Sequence, residues 1–278
     1  MKQSMFTLNC SGRLLLLEKP IVMGIINVTP DSFYENSRAN NMDAIVQIAE
    51  KMLKDGATIL DIGGQTTKPN SQSIGADEEI KRIAPVIEIL SKRFPKAYLS
   101  IDTYHAAVAK TAVELGACMV NDVSGGILDT TMLTTVGKLN VPFVCMHMQG
   151  NPETMQQNPS YNNVVTEVLD FFIQQNQKCH EAGIKDVIID VGFGFGKTIA
   201  HNYTLLKHLS IFNILQKPIL AGVSRKSMIY KVLENTPNDA LNGTTVLNTV
   251  ALLNGAHILR VHDVKEAKET IDLLAQMK

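Results

Sequence analysis

From Pro20 onward the chain alternates between short, continuous apolar runs and longer stretches in which apolar residues recur every three or four positions. The runs at Ile21–Ile26, Ala57–Ile62, Ala97–Ile101, Cys118–Val120, Phe143–Met146, Val187–Ile189, Ile219–Gly222 and His257–Val261 read as strands buried on both faces. Between them, Ile45, Ile48, Ala49, Met52 and Leu53 mark one helical face, which Gly56 should stop. Ile80, Ile83, Ala84 and Ile87 mark a second, where Pro85 should kink or restart the helix. Ala106–Leu115 closes at Gly116, and further helices are predicted around Tyr161–Ala182, Ala240–Leu253 and Val264–Met277.

Eight strands, each followed by a helix and with no linker between them, predict a single-domain α/β protein, a (β/α)8 barrel over residues 20–278. A doubly wound open sheet is the alternative. Residues 6–17 precede the first barrel strand, and a hairpin turning at Ser11-Gly12 would plug the bottom of the barrel; residues 1–19 form this N-terminal extension. The segments 28–40 and 63–76 exceed the ~2–6 residues usual between strand and helix. Both follow strands, on the face where such barrels carry their sites, and their Gly, Pro, Ser and Asn content suggests lids.

Composition removes some function classes. With 26 basic and 27 acidic residues the net charge is −1, which supplies no field to draw nucleic acid or a membrane surface. The four cysteines form no CxxC pair and read as reduced, mostly buried thiols. The apolar run Leu14–Leu17 is too short for a signal peptide, and no stretch approaches a membrane span, so a cytoplasmic protein is expected. The seven histidines are scattered, without metal-cluster spacing.

The chemistry concentrates at the strand ends, in order Asn27, Asp61, Asp102, Asn121-Asp122, His147, Asp190, Ser224-Arg225-Lys226 and Arg260-Val261-His262. One Asp after a strand is more often a turn former or helix cap. Eight polar strand ends in one barrel would surround one mouth. Asp102, Asn121 and Asp190 suit the amino-pyrimidinone edge of a planar heterocycle, whose N–H groups a carboxylate accepts in pairs. Lys226, Arg260 and His262 follow the last two strands, the phosphate corner of such barrels. Gly192-Phe-Gly-Phe-Gly-Lys197 resembles a P-loop, but Val191 stands where the first glycine of that motif belongs. Its glycines instead let the backbone approach a flat ligand, with Phe193 or Phe195 as an apolar wall.

The segments Gly24–Phe33, Asp61–Pro69, Ser100–Thr103, Val120–Asp122, Met146–Pro152, Asp190–Lys197, Gly222–Ser227 and Arg260–Val264 resemble those of dihydropteroate synthases, in order and at every strand end. The resemblance implies a TIM barrel, a Mg2+-dependent transferase, small-molecule substrates (a pterin diphosphate and 4-aminobenzoate) and a homodimer. It places the pterin on Asp102, Asn121, Asp190, Lys226 and Arg260. The diphosphate falls to Asn27, Thr67, Arg260 and His262, with Asn27 also on Mg2+, and the aminobenzoate to Thr67, Lys68, Phe195 and Ser227. Asn27, Asp102, Lys226, Arg260 and His262 are the residues implied in catalysis. The sequence departs from the family pattern at Gln65-Thr-Thr67-Lys68-Pro-Asn70, where Glu-Ser-Thr-Arg-Pro-Gly is expected, and at Val191, where Pro is expected. Two alternatives share the pterin carboxylates: a methyltransferase barrel serving a corrinoid partner, and a paralogue that binds pterins without turnover. The cationic groups after the last two strands weigh against the methyltransferase.

Overall fold

The computed structural model describes residues 5–28, 38–65, 74–151 and 155–277. Strands β1 (Phe6–Cys10) and β2 (Arg13–Leu17) form an antiparallel hairpin, closed by Ser11 and Gly12 at φ 52° and 83°. Two successive positive φ values give the turn whose twist matches a hairpin.

Eight parallel strands follow: β3 (Ile21–Asn27), β4 (Ile59–Gly63), β5 (Tyr98–Asp102), β6 (Met119–Asp122), β7 (Phe143–Met146), β8 (Val187–Asp190), β9 (Ile219–Ala221) and β10 (Ile258–Val261). They close into a barrel in sequence order, with β10 pairing β3. The open-sheet alternative is therefore excluded. The surrounding helices are α1 (Arg38–Lys54), α2 (Ala76–Arg93), α3 (Ala106–Glu114), α4 (Met132–Leu139), α5 (Val164–Glu181), α6 (Ile199–Lys207), the short α7 (Ser227–Tyr230), α8 (Leu241–Leu253) and α9 (Val264–Ala275).

Successive strand residues face opposite sides, so each strand alternates between the barrel interior and the helix layer. Met23, Ile59, Met119, Val144, Ile188, Leu220 and Ile258 form the lower interior layer, and Leu8, Cys10, Leu15 and Leu17 of the hairpin pack into it from below. Leu60, Ile62, Ile101, Val120, Cys145, Ile189 and Val261 belong instead to the cluster beneath the helices. The four cysteines are free and buried.

Two helix expectations need correction. Helix α2 runs through Pro85 without restarting. Pro85 is exposed, so water can meet the carbonyl that its missing N–H leaves free. Ile48 does not join the buried face of α1: it is 47% exposed, whereas Ile45 and Ala49 are buried.

Candidate active site

Two residues above the apolar interior layer, the same alternation brings polar side chains inward. Ile59 leads to Asp61, Met119 to Asn121, Ile188 to Asp190 and Ile258 to Arg260, while Asp102 stands beside Asn121 in register. Asp61 is fully buried; its Oδ2 accepts from Arg260 Nε at 2.6 Å and from Asn121 Nδ2 at 2.9 Å. Arg260 NH2 reaches Asp102 Oδ2 at 2.5 Å, so the guanidinium is held between two carboxylates. On the opposite strands Asp190 Oδ1 accepts from Gly192 N at 2.8 Å, leaving Oδ2 toward Gly222. A Cβ on Gly222 would lie 3.9 Å from Asp190 Oδ2 and from Lys226 Nζ, so carboxylate and ammonium converge on one point beside the root of the Arg260 side chain. Lys226 Nζ donates to Phe193 O at 2.5 Å and sits 4.7 Å from the centre of the Phe195 ring.

The electrostatics follow from burial. Burial pushes Asp102 up to about 7, opposed by Arg260 and reinforced by Asp61 and Asp122. Burial also raises Asp190, with Lys226 and the Gly192 N–H pulling it back. Lys226 is pushed down to about 8 by burial, against the attraction of Asp190. Burial would lower Arg260, but Asp61 and Asp102 outweigh it and hold the guanidinium charged. The mouth thus carries a cation beside carboxylates on each side, Arg260 with Asp61 and Asp102, and Lys226 with Asp190.

Five predicted residues, Asp102, Asn121, Asp190, Lys226 and Arg260, therefore meet at one mouth. Asn27 and His262 stand exposed at the rim, at the ends of neighbouring strands β3 and β10. Ser224 Oγ lies 3.1 Å from His262 Nδ1 and accepts from His262 N at 3.2 Å, fixing that ring. Ser227 opens α7 directly after Lys226. The wall is Phe195, which packs with Tyr104, Val123, Met146 and Met148. Phe193 is fully buried in the outer core. Thr67 and Lys68, with most of the two long loops, lie outside the described residues.

Three strand-end groups do not enter the mouth. The His147 ring packs edge-on against Phe171, with its Nδ1 2.9 Å from the buried Lys197 Nζ. Asp122 has outward parity, and its carboxylate accepts from Ser124 N, Ser124 Oγ and Gly126 N, closing its own turn. Arg225 turns away at φ 54° and pairs with Asp263, its NH2 donating to Oδ1 at 2.7 Å. Asp61 was legible as a strand end, but its grip on Arg260 and Asn121 was not. Its position two residues beyond the interior residue Ile59 was the available signal.

At the root of the second long loop, the Tyr104 hydroxyl donates to Gln65 Oε1 at 3.0 Å and Gln65 Nε2 donates to Glu79 at 3.3 Å. Burial pushes Glu79 from 4.5 up to about 8, a hydrogen bond with Thr103 opposing. The folded protein then holds a proton that the unfolded chain releases above 4.5, so this group's stabilisation falls as pH rises from 4.5 to about 8. The slope for one proton is about 1.4 kcal/mol per pH unit. Glu79→Gln should therefore gain on wild type between about pH 5 and 8 in urea denaturation; parallel stability profiles would contradict it.

The family of pterin binding enzymes matches residues 23–262. The chain is 41% identical to dihydropteroate synthase of Escherichia coli K12 over 262 residues, covering 94% of this chain and 92% of that protein. It is 42% identical to dihydropteroate synthase of Haemophilus influenzae, covering 95% and 96%. Among solved structures, Yersinia pestis dihydropteroate synthase in a sulfonamide drug complex superposes with a TM-score of 0.92 at 40% identity, covering 98% of this chain and 99% of that one. The Xanthomonas albilineans enzyme in complex with 7,8-dihydropteroate gives 0.85 at 35% identity, covering 98% of each chain. The chain therefore belongs to the dihydropteroate synthase family, the pterin-binding transferases of folate synthesis that condense (7,8-dihydropterin-6-yl)methyl diphosphate with 4-aminobenzoate to give 7,8-dihydropteroate and diphosphate.

Proposed function

We propose that the pterin lies in the barrel mouth with its amino-pyrimidinone edge on Asp190 and Asn121 and its diphosphate toward Arg260 and His262. The convergence of the Asp190 carboxylate and the Lys226 ammonium on the space beside Gly222, next to the Arg260 side chain, carries this reading. Asp190 Oδ2 accepts N–H groups, Lys226 donates to the ring's acceptors, and Arg260, braced by Asp61 and Asp102, covers the ring. The bond to break joins the pterin methylene to a diphosphate oxygen. The electron-rich ring stabilises positive charge developing on that carbon, so the protein's task is to stabilise the departing diphosphate in a site that excludes water. The arylamine is already unprotonated at neutral pH and needs no strong base. Thr67, Lys68, Phe195 and Ser227 hold 4-aminobenzoate, with Thr67 also on the diphosphate; a lysine at 68 supplies charge without the bidentate fork of arginine.

The described residues contain no group of three or more His, Cys, Asp or Glu able to hold a metal ion. Mg2+ keeps several waters and is held by few protein oxygens plus substrate phosphates, which suits the single amide of Asn27 at the rim. Asn27 would hold it there together with the diphosphate, and the ion would supply positive charge to the leaving group. Pyrophosphate affinity by calorimetry should rise with Mg2+ in wild type and much less in Asn27→Ala. Equal enhancement in both proteins would remove Asn27 from the metal.

A homodimer is part of the same proposal. Helix α8 buries Leu247 and Ala251 toward the barrel, yet Val246 and Leu253, two turns apart on another face, are 52% and 60% exposed. An apolar stripe of this kind fits a second copy of the chain. The double variant Val246→Asp/Leu253→Asp should sediment as a monomer, and an unchanged dimer would place the interface elsewhere. No helix of the described residues is long and apolar enough to cross a membrane. We place the enzyme in the cytoplasm, with the other steps of folate synthesis.

A further inference from the structure

The glycine-rich loop after β8 closes around a buried ammonium that none of the roles above uses. Lys197 is 3% exposed. Its Nζ donates to Gly192 O at 3.0 Å and to Phe195 O at 2.9 Å, and lies 2.9 Å from His147 Nδ1 and 3.3 Å from His147 O. An ammonium has three donors and no acceptor, and the three shorter contacts use all of them. His147 Nδ1 is then the acceptor, and its ring carries its proton on Nε2. Burial, reinforced by the charge of Lys197, pushes His147 down to about 2 and keeps the ring neutral.

These four partners are carbonyls and a ring nitrogen, not carboxylates. Burial pushes Lys197 down to about 7, with Asp190 opposing and the charge of Lys226 reinforcing it. A buried cation is a costly way to close a loop, and the position of its bonds gives it a use. Gly192 accepts from Lys197 while its own N–H donates to Asp190 Oδ1 at 2.8 Å. The His147 N–H donates to Asp190 O at 3.0 Å, and the His147 carbonyl faces Lys197. Phe195, whose carbonyl Lys197 holds, presents its ring to Lys226. The packing leaves no slack: a Cβ on Gly192 would fall 1.9 Å from His147 O. Every bond of Lys197 therefore ends on a residue that orients Asp190 or forms the apolar wall.

We propose that Lys197 is a positioning residue of the reaction, fixing Gly192 to Phe195 against the end of β7 so that the Asp190 carboxylate and the Phe195 ring are set before substrate binds. The inference rests on the pterin reading of Asp190 given above. A loop ordered in advance spares each substrate the cost of ordering it, so the effect falls on binding rather than on the chemical step.

The test uses Lys197→Met in the complete chain, which keeps the apolar length and removes every donor. The Kd of a pterin ligand and the KM of both substrates should rise about tenfold or more, while kcat at saturation changes less than about threefold. A purely structural role predicts a lower Tm and a smaller active fraction with Kd and KM unchanged, and that result overturns the proposal. If Lys197→Met does not fold, Lys197→Gln retains an amide donor for one carbonyl and should give an intermediate rise in KM. An unchanged KM there, or failure of both variants to fold, assigns Lys197 to the fold alone. Asp190→Asn measured alongside separates two failures. Intact pterin affinity in Asp190→Asn defeats the pterin reading itself, whereas weakening there with none in Lys197→Met defeats only the role of Lys197.

Discussion

Arg260→Ala should lose about 3–5 kcal/mol of folding stability, the scale on which removing one partner of a buried ion pair leaves the other uncompensated. Asp61 is fully buried and the Asp102 side chain is 12% exposed, and the guanidinium lies 2.6 Å from the first and 2.5 Å from the second. Without it two carboxylates lie side by side on the paired strands β4 and β5, and among the described residues Asn121 alone still donates to Asp61. In the folded fraction, the affinity that diphosphate adds to pterin binding should vanish, while His262→Ala, at the exposed rim, weakens it less. Arg260→Lys keeps the charge but cannot reach both acids with a planar fork, so it should fall between the two. Denaturant unfolding and pyrophosphate calorimetry read both effects. Wild-type values for stability and pyrophosphate in Arg260→Ala would refute the paired-acid account of this corner.

Asp190→Asn should weaken pterin binding by about 1.5–3 kcal/mol, roughly tenfold to a hundredfold in Kd, with the barrel intact. One oxygen already accepts the Gly192 N–H, so the substituted amide must present its NH2 either to that donor or to the pterin's own N–H groups. Both orientations place donor against donor. Calorimetry on a folded variant decides the point, and an unchanged Kd would remove Asp190 from the site.

The barrel was legible because its strands are buried on both faces and read as apolar runs, with helices of regular period between them. Boundaries moved by a residue or two where a polar side chain ended the run, as at Asn27, Asp102, Asp122 and Asp190, all of which lie inside their strands. The alternation that carries Asp61, Asn121, Asp190 and Arg260 inward is also present in the sequence, and it explains why Asp122, one residue beyond Asn121, serves its own turn. What sequence could not give is partnership across the barrel. Arg260 and Asp61 are separated by 199 residues and His147 and Lys197 by 50, and nothing local to either pair states the contact. Arg225 misled for a related reason. It stands between Ser224 and Lys226, which face the site, but its positive φ turns it to Asp263 and the carbonyls of Pro237 and Asn238. Pro85 marks the limit of local rules, since packing on the opposite face of α2 carries the helix through it.

The most direct measurement incubates the purified protein with (7,8-dihydropterin-6-yl)methyl diphosphate, 4-aminobenzoate and Mg2+, following 7,8-dihydropteroate by mass spectrometry and diphosphate by a coupled assay. The account predicts the two products in equal amounts, with turnover lost when 4-aminobenzoate is omitted and strongly reduced in Arg260→Ala. Tight pterin binding with no dihydropteroate formed would contradict it and identify a pterin-binding protein without turnover.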